Sequence, residues 1–382
     1  MTSIEGGYIS ADGHFVEPAD LWTTRMDKRF RERAPRVESR PDADWYVIEG
    51  VTPFPVGLEG ASMEDKIAGE IKMMGGRRHA STRPGAWDPQ ARLADLTLDH
   101  ITAEVLYPGG LGLQFWAAPD PEYQAECCRI YNDWVSEFCA SDPGRFLGAA
   151  LIPMRGPIEL GVKETQRAAK LKGIKTLSIP TTMVDRHYSD PAYEPLWAAL
   201  QDADMPVSIH IGTTGEPIYD RFLKLGIGPG VVEAKILTGQ RAVAELIWAG
   251  VPQRYPKIRF IIAEGGIGWI PTLIGFMDHW WSDHRRWMEP KLDEKPSVYF
   301  NRQFWATFEE DRAGVILARE GILNPDRIMW GSDYPHTEGT FPHSREAIAR
   351  DFAGVPEALV HKIVVSNVAE LYNLKLSAPG TH

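Results

Sequence analysis

Four short stretches of this sequence carry the residue types that hold metal ions and move protons. Asp12-Gly13-His14 sets a carboxylate and an imidazole two residues apart, so on an extended strand both side chains leave from one face. His210 in SIHIG, Glu264 in AEGGIG and Asp333 in GSDYPH each stand at the end of a short apolar run. Brought together, Asp12, His14, His210 and Asp333 would offer two nitrogens and two carboxylates to one divalent cation. Mixed nitrogen and oxygen donors suit Zn2+, with Mn2+ second, better than Ca2+ or Mg2+, which prefer all-oxygen shells. The plainer reading makes the histidines satisfied core residues and the aspartates loop anchors. Burying all four together without a cation would cost several kcal/mol, which favours the metal reading.

Such a gathering needs a scaffold that brings distant segments to one place. Eight short apolar runs occupy residues 8–15, 102–107, 146–154, 173–180, 206–212, 258–265, 298–307 and 327–333. They lack polar alternation, as expected of strands buried on both faces of a parallel sheet. Helix candidates fall between them at 89–100, 121–140, 157–171, 191–202, 232–249 and 270–284. Asp190-Pro191 supplies an N-cap followed by Pro at the first helical position, and Gly173 and Gly250 follow helix ends. Eight strands alternating with helices predict an α/β fold, a distorted (β/α)8 TIM barrel. In that fold the catalytic groups collect at the C-terminal ends of strands, where Asp12, His14, His210, Glu264 and Asp333 would stand.

Residues 19–90 break the alternation. They are rich in Pro, Gly and charge, yet Trp22, Trp45, Tyr46, Phe54 and Trp87 give them apolar bulk. This stretch reads as an insertion after the first strand, lying over the active-site mouth, and residues 344–374 as extra C-terminal helices. The chain is expected to be a single barrel domain over 1–382.

Composition removes other classes. Apolar residues are 43% and charged residues 24% of the chain, which excludes extended disorder. The net charge of −11 argues against nucleic-acid binding, which needs clustered Lys and Arg. No apolar run is long enough for a membrane span and no secretory signal opens the sequence, so neither a membrane nor export is expected. Three cysteines, Cys127, Cys128 and Cys139, sit in one predicted helix and cannot form a disulfide framework, which suits a reducing cytoplasm. There is no GxSxG, GxxxxGK[ST], HExxH or GxGxxG.

The runs ISADGHFVEP, DPQARLADLTLDHITAEVLYP, SIHIG, FIIAEGGIGWIP and GSDYPHTEGTFPHS together resemble the amidohydrolase-related (amidohydrolase 2) family, which includes aminocarboxymuconate semialdehyde decarboxylase-like enzymes. The resemblance spans about Tyr8 to Leu374, weakest over 19–90. It implies a mononuclear site with Asp12, His14 and His210 as ligands and Asp333 as ligand and acid/base. A bridging carbamylated Lys is not expected, since the fourth run ends in Ser178-Ile179-Pro180. It also implies a dimer or larger homo-oligomer. One departure stands out: the decarboxylases usually carry a catalytic His at the end of strand six, where this chain has Glu264.

An imidazole can be cationic near neutral pH, and an ordinary carboxylate cannot do its job. That difference favours a metal-dependent hydrolase acting on a small amide, lactone or cyclic substrate. The metal would activate a water, Asp333 would accept its proton, and Glu264 or His210 would orient the reactants. The alternative is a non-oxidative decarboxylase of an aromatic or unsaturated acid, with Asp333 protonating the carbon that loses CO2. A third possibility is a ligand-binding relative with a structural metal. Arg302 in the seventh run, and Tyr334 and His336 after Asp333, are the expected substrate-binding residues.

Overall fold

The computed structural model describes residues 7–57, 78–183 and 185–375. Eight parallel strands follow one another in chain order in a single sheet: Tyr8–His14, Ile101–Tyr107, Phe146–Leu151, Ile174–Ile179, Val207–His210, Phe260–Ala263, Phe304–Phe308 and Ile328–Trp330. Beyond the last strand, Tyr334 bridges back to Gly13 in parallel register. His14 N–H donates to Tyr334 O (2.6 Å) and Asp333 N–H to Asp12 O (3.0 Å). These bonds bring the two sheet edges together, so the sheet nearly closes into the expected (β/α)8 barrel. Five of the eight strands are buried at every position and the other three at all but one, because helices cover the outside while side chains fill the inside.

The helices form where the apolar spacing placed them. Pro121–Cys139 and Ile270–His284 run almost as predicted, and Asp190 caps its turn by accepting from the Ala192 N–H at 2.8 Å. Cys127, Cys128 and Cys139 are free thiols, all buried. Among the described residues no helix is long and apolar enough to cross a membrane.

The seventh strand differs from expectation. Residues 298–307 were expected to be extended throughout, but Pro296–Gln303 is a helix and the strand is Phe304–Phe308. Pro296, Tyr299, Phe300 and Gln303 are the buried positions, the last three lying three, four and seven residues on from the first. That is a helical period, disguised by aromatic residues that also suit strands.

Within the predicted insertion, a helix at Leu21–Arg25 is followed by an antiparallel sheet of Arg36–Ser39, Asp44–Val47 and Phe54–Pro55. Trp22 is buried and its indole N–H donates to Cys127 O at 3.1 Å, which ties the segment to the barrel's outer helix. Phe54 stacks on Tyr219 of the helix Ile218–Leu225, beyond the fifth strand (centroids 4.6 Å apart, 16° between planes). Residues 58–77 of the predicted insertion lie outside the described residues. C-terminal helices occupy Ser344–Asp351, Glu357–His361 and Asn367–Leu371.

Candidate metal centre and pocket

The first strand delivers Asp12 and His14 to the mouth with Gly13 between them for a steric reason. A Cβ on Gly13 would lie 2.2 Å from Glu104 Oε1 and 2.9 Å from Arg92 Nη2. Those two side chains form a fully buried ion pair in which Arg92 Nε and Nη2 donate to Glu104 Oε2 at 2.8 and 2.6 Å. Arg92 Nη1 also donates to His14 O at 2.7 Å, so the pair fixes the strand end behind the site. At two other strand ends the backbone is strained: Glu264 has φ 60° and Asp333 φ 54°, a left-handed conformation costly for residues with a Cβ.

These ends converge. His14 Nε2 lies 3.5 Å from Asp12 Oδ1 and 3.3 Å from Asp333 Oδ1, and His210 Nε2 lies 3.5 Å from Asp12 Oδ1 and 3.4 Å from Glu264 Oε2. The ligand atoms of Asp12, His14 and His210 lie within 4.8 Å of one another, as do those of His14, Glu264, Asp333 and His336. Asp333 thus joins through His14. The ring orientations are set from behind: His14 Nδ1 contacts Pro108 O at 2.7 Å and His210 Nδ1 contacts Ile211 O at 2.8 Å. Carbonyl oxygens only accept, so each Nδ1 carries the hydrogen and each neutral ring turns the Nε2 lone pair to the centre.

Two carboxylate oxygens complete the case for a cation. Asp12 Oδ1 and Asp333 Oδ2 are buried without a hydrogen-bond partner, although Asp12 Oδ2 accepts from Thr307 Oγ1 at 3.0 Å. Burial drives the Asp333 carboxyl well above the usual range, reinforced by the charge of Glu264, and burial also raises Asp12. Burial pushes His14 far down, helped by the neighbouring His336 and His210. For His210 burial works in the same downward direction, but the charges of Asp12 and Glu264 prevail and raise it. A divalent ion would favour ionised carboxylates and neutral rings at once. The donor set fits such an ion.

A cavity of about 180 Å3 opens beside the cluster, with Glu264 and His336 at its inner end and walls that include Ile211, Ile218, Phe222 and Ala234. His336 stacks on His14 (4.1 Å, 25°) and its Nδ1 lies 2.9 Å from Asp333 Oδ1. Lys235 reaches in from the rim to Glu264 Oε1 at 2.5 Å and Glu338 Oε1 at 2.7 Å. Burial pushes the Glu264 carboxyl up, but Lys235, His210 and His336 together outweigh it and hold Glu264 below the usual carboxylate range. Glu17 accepts the Gly109 and Gly112 N–H groups at 2.9 and 3.2 Å and so caps the helix Gly110–Leu113.

Asp12, His14, His210, Glu264, Asp333 and His336, all singled out from sequence, meet at this centre. Arg302 does not. It lies on the helix before the seventh strand, at the opposite end of that strand from the site, and pairs with Glu294 at 2.8 Å. Tyr334 does not line the cavity either; its hydroxyl donates to Asp95 and its ring lies under Arg92. Its main chain is needed to close the barrel, and that turns the side chain outward, behind the site. Two residues were missed. Thr307 Oγ1 links Asp12 to the Glu264 N–H (2.7 Å), and it could have been found as the polar end of the seventh run. Lys235 carries no sequence signal, because a lysine on a helix is ordinarily solvated.

A family model described as Amidohydrolase matches residues 13–374. The chain is similar to gamma-resorcylate decarboxylase of Rhodococcus jostii (strain RHA1), 26% identical over 317 residues, 76% of this chain and 92% of that one. It is also similar to 2-amino-3-carboxymuconate-6-semialdehyde decarboxylase of Dictyostelium discoideum, 23% identical over 283 residues, 73% of this chain and 75% of that one. Among solved structures, an amidohydrolase from Mycobacterium avium subsp. paratuberculosis K-10 shares the fold with a TM-score of 0.79 at 23% identity, over 98% of this chain and 100% of that one. Both sequence relatives are decarboxylases, which overturns hydrolysis as the first expectation. Glu264 in place of a strand-six His weighed too heavily there, since His336 brings an imidazole into the same centre from the loop after the eighth strand. With the match running from Gly13 to Leu374 over a nearly closed eight-stranded barrel, the chain belongs to the amidohydrolase family.

Proposed function

We propose that this protein is a metal-dependent, non-oxidative carboxy-lyase for a small aromatic or unsaturated carboxylic acid. The observation that carries the reading is the Asp333 carboxyl group, with Oδ1 on His336 and Oδ2 buried and unpartnered beside an apolar-walled cavity. The kinship with two decarboxylases supports the same choice. Asp12, His14, His210 and Asp333 would hold one divalent ion, Zn2+ on donor chemistry with Mn2+ second. When bound, that ion would neutralise the substrate carboxylate and a neighbouring oxygen, so that negative charge is held while the carbon–carbon bond opens.

The chain's own residues then have separate tasks. Asp333, taking a proton on the oxygen that faces His336 while its other oxygen would serve the ion, gives that proton to the carbon that bears the carboxylate. The bond to the carboxylate carbon breaks, its electron pair returns to the ring or double bond, and CO2 leaves. His336, partly open to the cavity and 2.9 Å from Asp333 Oδ1, hands on the proton that restores the acid. The apolar wall excludes water from the carbon being protonated, and the insertion around Phe54 and Val56 covers one side of it. Residues 19–90 and the barrel act here as one catalytic unit.

Incubation of the metal-loaded protein with a panel of hydroxybenzoates in D2O tests the reading. It expects one CO2 per product and a single deuterium at the vacated carbon. Incorporation of 18O from labelled water into the product, without CO2, would sink it.

A further inference from the structure

Lys235 has no task in the reaction as proposed. It sits on a π-helical turn, Glu233–Leu237, between the helices Ile227–Val232 and Thr238–Trp248. Such turns are rare and recur at functional sites. Among the described residues lining the cavity it is the only Lys or Arg. Burial opposes its charge, but Glu264, Asp333, Glu338 and Glu309 together hold it firmly as the ammonium ion.

Its two partners are unlike. Glu264 is buried, and its second oxygen faces His210 at 3.4 Å, so one carboxylate separates Lys235 from the metal centre. Glu338 is half exposed and lies on the loop five residues after Asp333. Releasing a half-exposed carboxylate to water costs little, whereas freeing a buried one costs much. An anion entering the cavity can therefore take the place of Glu338 on the ammonium group while Glu264 stays. Lys235 and His210 contact opposite oxygens of Glu264, at 2.5 and 3.4 Å, so a ligand that joins the metal centre to the lysine lies alongside that carboxylate on the cavity side.

We propose that Lys235 anchors a second anionic group of the substrate, a carboxylate or phenolate, and that Glu338 holds its place while the cavity is empty. The substrate class is thereby narrowed to acids with one carboxylate for the metal centre and a second acidic group that is retained. The proposal rests on the carboxy-lyase reading only for which of the two groups leaves.

Calorimetric binding to the metal-loaded protein tests it, with isophthalate, 3-hydroxybenzoate and benzoate as probes. Isophthalate is expected to bind roughly 10-fold or more tighter than benzoate, and Lys235→Met to erase that preference by a loss of roughly 10- to 100-fold. Lys235→Arg keeps part of it. Glu338→Gln tightens isophthalate several-fold, the opposite sign, because the competing carboxylate is gone. The 3-hydroxybenzoate arm separates a phenolate from a carboxylate as the favoured group. Metal content and near-UV circular dichroism must match wild type in each variant, and Glu338→Gln carries the test if Lys235→Met fails to fold. The proposal is overturned if wild type binds the three acids equally or not at all. It is equally overturned if Lys235→Met keeps the preference, or if Glu338→Gln weakens binding. A Lys235-dependent preference without CO2 release from any acid would instead overturn the carboxy-lyase reading alone.

Discussion

The imidazoles of His14 and His210 meet with their Nε2 atoms 3.1 Å apart, in rings almost perpendicular to each other (88°). Each ring's Nδ1–H is already given to a main-chain carbonyl. Two lone pairs repel at this distance, and a positive charge between or beside them, either a proton or a metal ion, would stabilise the arrangement. A proton would serve the two nitrogens and leave the buried Asp12 Oδ1 unpartnered, whereas a divalent ion would serve both nitrogens and that oxygen, since the three ligand atoms lie within 4.8 Å of one another.

The first expectation follows directly. The protein carries about one divalent ion per chain, and His210→Ala or Asp12→Asn releases it. Saturation at about a thousand times Kd adds about 4 kcal/mol of stability, so chelation lowers the melting temperature by several degrees and Zn2+ or Mn2+ restores it. Elemental analysis and calorimetry read both quantities. A melting curve indifferent to chelator and ion would mean that the two rings share a proton.

Thr307 extends the same centre outward. Its hydroxyl donates to Asp12 Oδ2 and accepts from the Glu264 N–H, so it orients one ligand and one strained strand end together. Thr307→Val preserves shape and removes both bonds. Groups that orient metal ligands are worth roughly 10- to 100-fold in affinity, so the ion should dissociate that much more readily in a competition titration with a chromogenic chelator. Unchanged affinity would show that the barrel alone fixes Asp12.

The sequence disclosed this cluster because each of its strand-end residues closes an apolar run. A polar residue just past a buried strand must lie at the barrel mouth, so Asp12, His14, His210, Glu264 and Asp333 could be placed before any coordinates. Direction was less legible. Tyr334 follows Asp333 immediately, yet closing the barrel through its main chain turns its ring under Arg92. Arg302 was misplaced because the aromatic residues of Pro296–Gln303 suit a strand as well as a helix, and only the spacing of buried positions decides. Lys235 was invisible for a different reason: its importance lies in a tertiary approach to Glu264, which helical periodicity does not encode.

The Arg92–Glu104 pair behind the first strand should matter for stability more than for chemistry. Both side chains are fully buried, and Arg92 also supports His14 O. Removing one partner from a buried pair leaves an uncompensated charge, at a cost of about 3–5 kcal/mol. Arg92→Met is expected to lower the unfolding free energy by that amount, read from urea denaturation, and to loosen the metal as a secondary effect. A variant as stable as wild type would show that water replaces the guanidinium.

Asp99 predicts a pH dependence remote from the metal. Burial pushes its carboxyl up to about 6, although it accepts from both the N–H and the hydroxyl of Ser344. An unfolded Asp titrates near about 3.9, so between those values the folded state binds the extra proton. Stability from this group is therefore present at low pH and lost as pH rises through about 6, by about 3 kcal/mol at most. Asn is neutral throughout and can still bond Ser344 in both senses. Asp99→Asn should thus gain on wild type in urea midpoint between pH 4 and 7; parallel profiles would contradict the assignment.

Asp333 and His336 should separate proton delivery from binding. An amide at position 333 can occupy the same left-handed strand end, since Asn tolerates that conformation well, but it has no proton to give to carbon. General acid catalysis by a placed side chain is worth roughly 100- to 10,000-fold, so Asp333→Asn should lose that much in kcat under metal concentrations that keep the site filled. His336→Gln leaves the acid itself in place and removes only the group that reprotonates it. Its first turnover should therefore be near normal and its steady-state rate depressed, a gap that rapid mixing reveals and that small buffer acids close. If His336→Gln slows the first turnover as much as later ones, the imidazole acts on the substrate itself and not through Asp333.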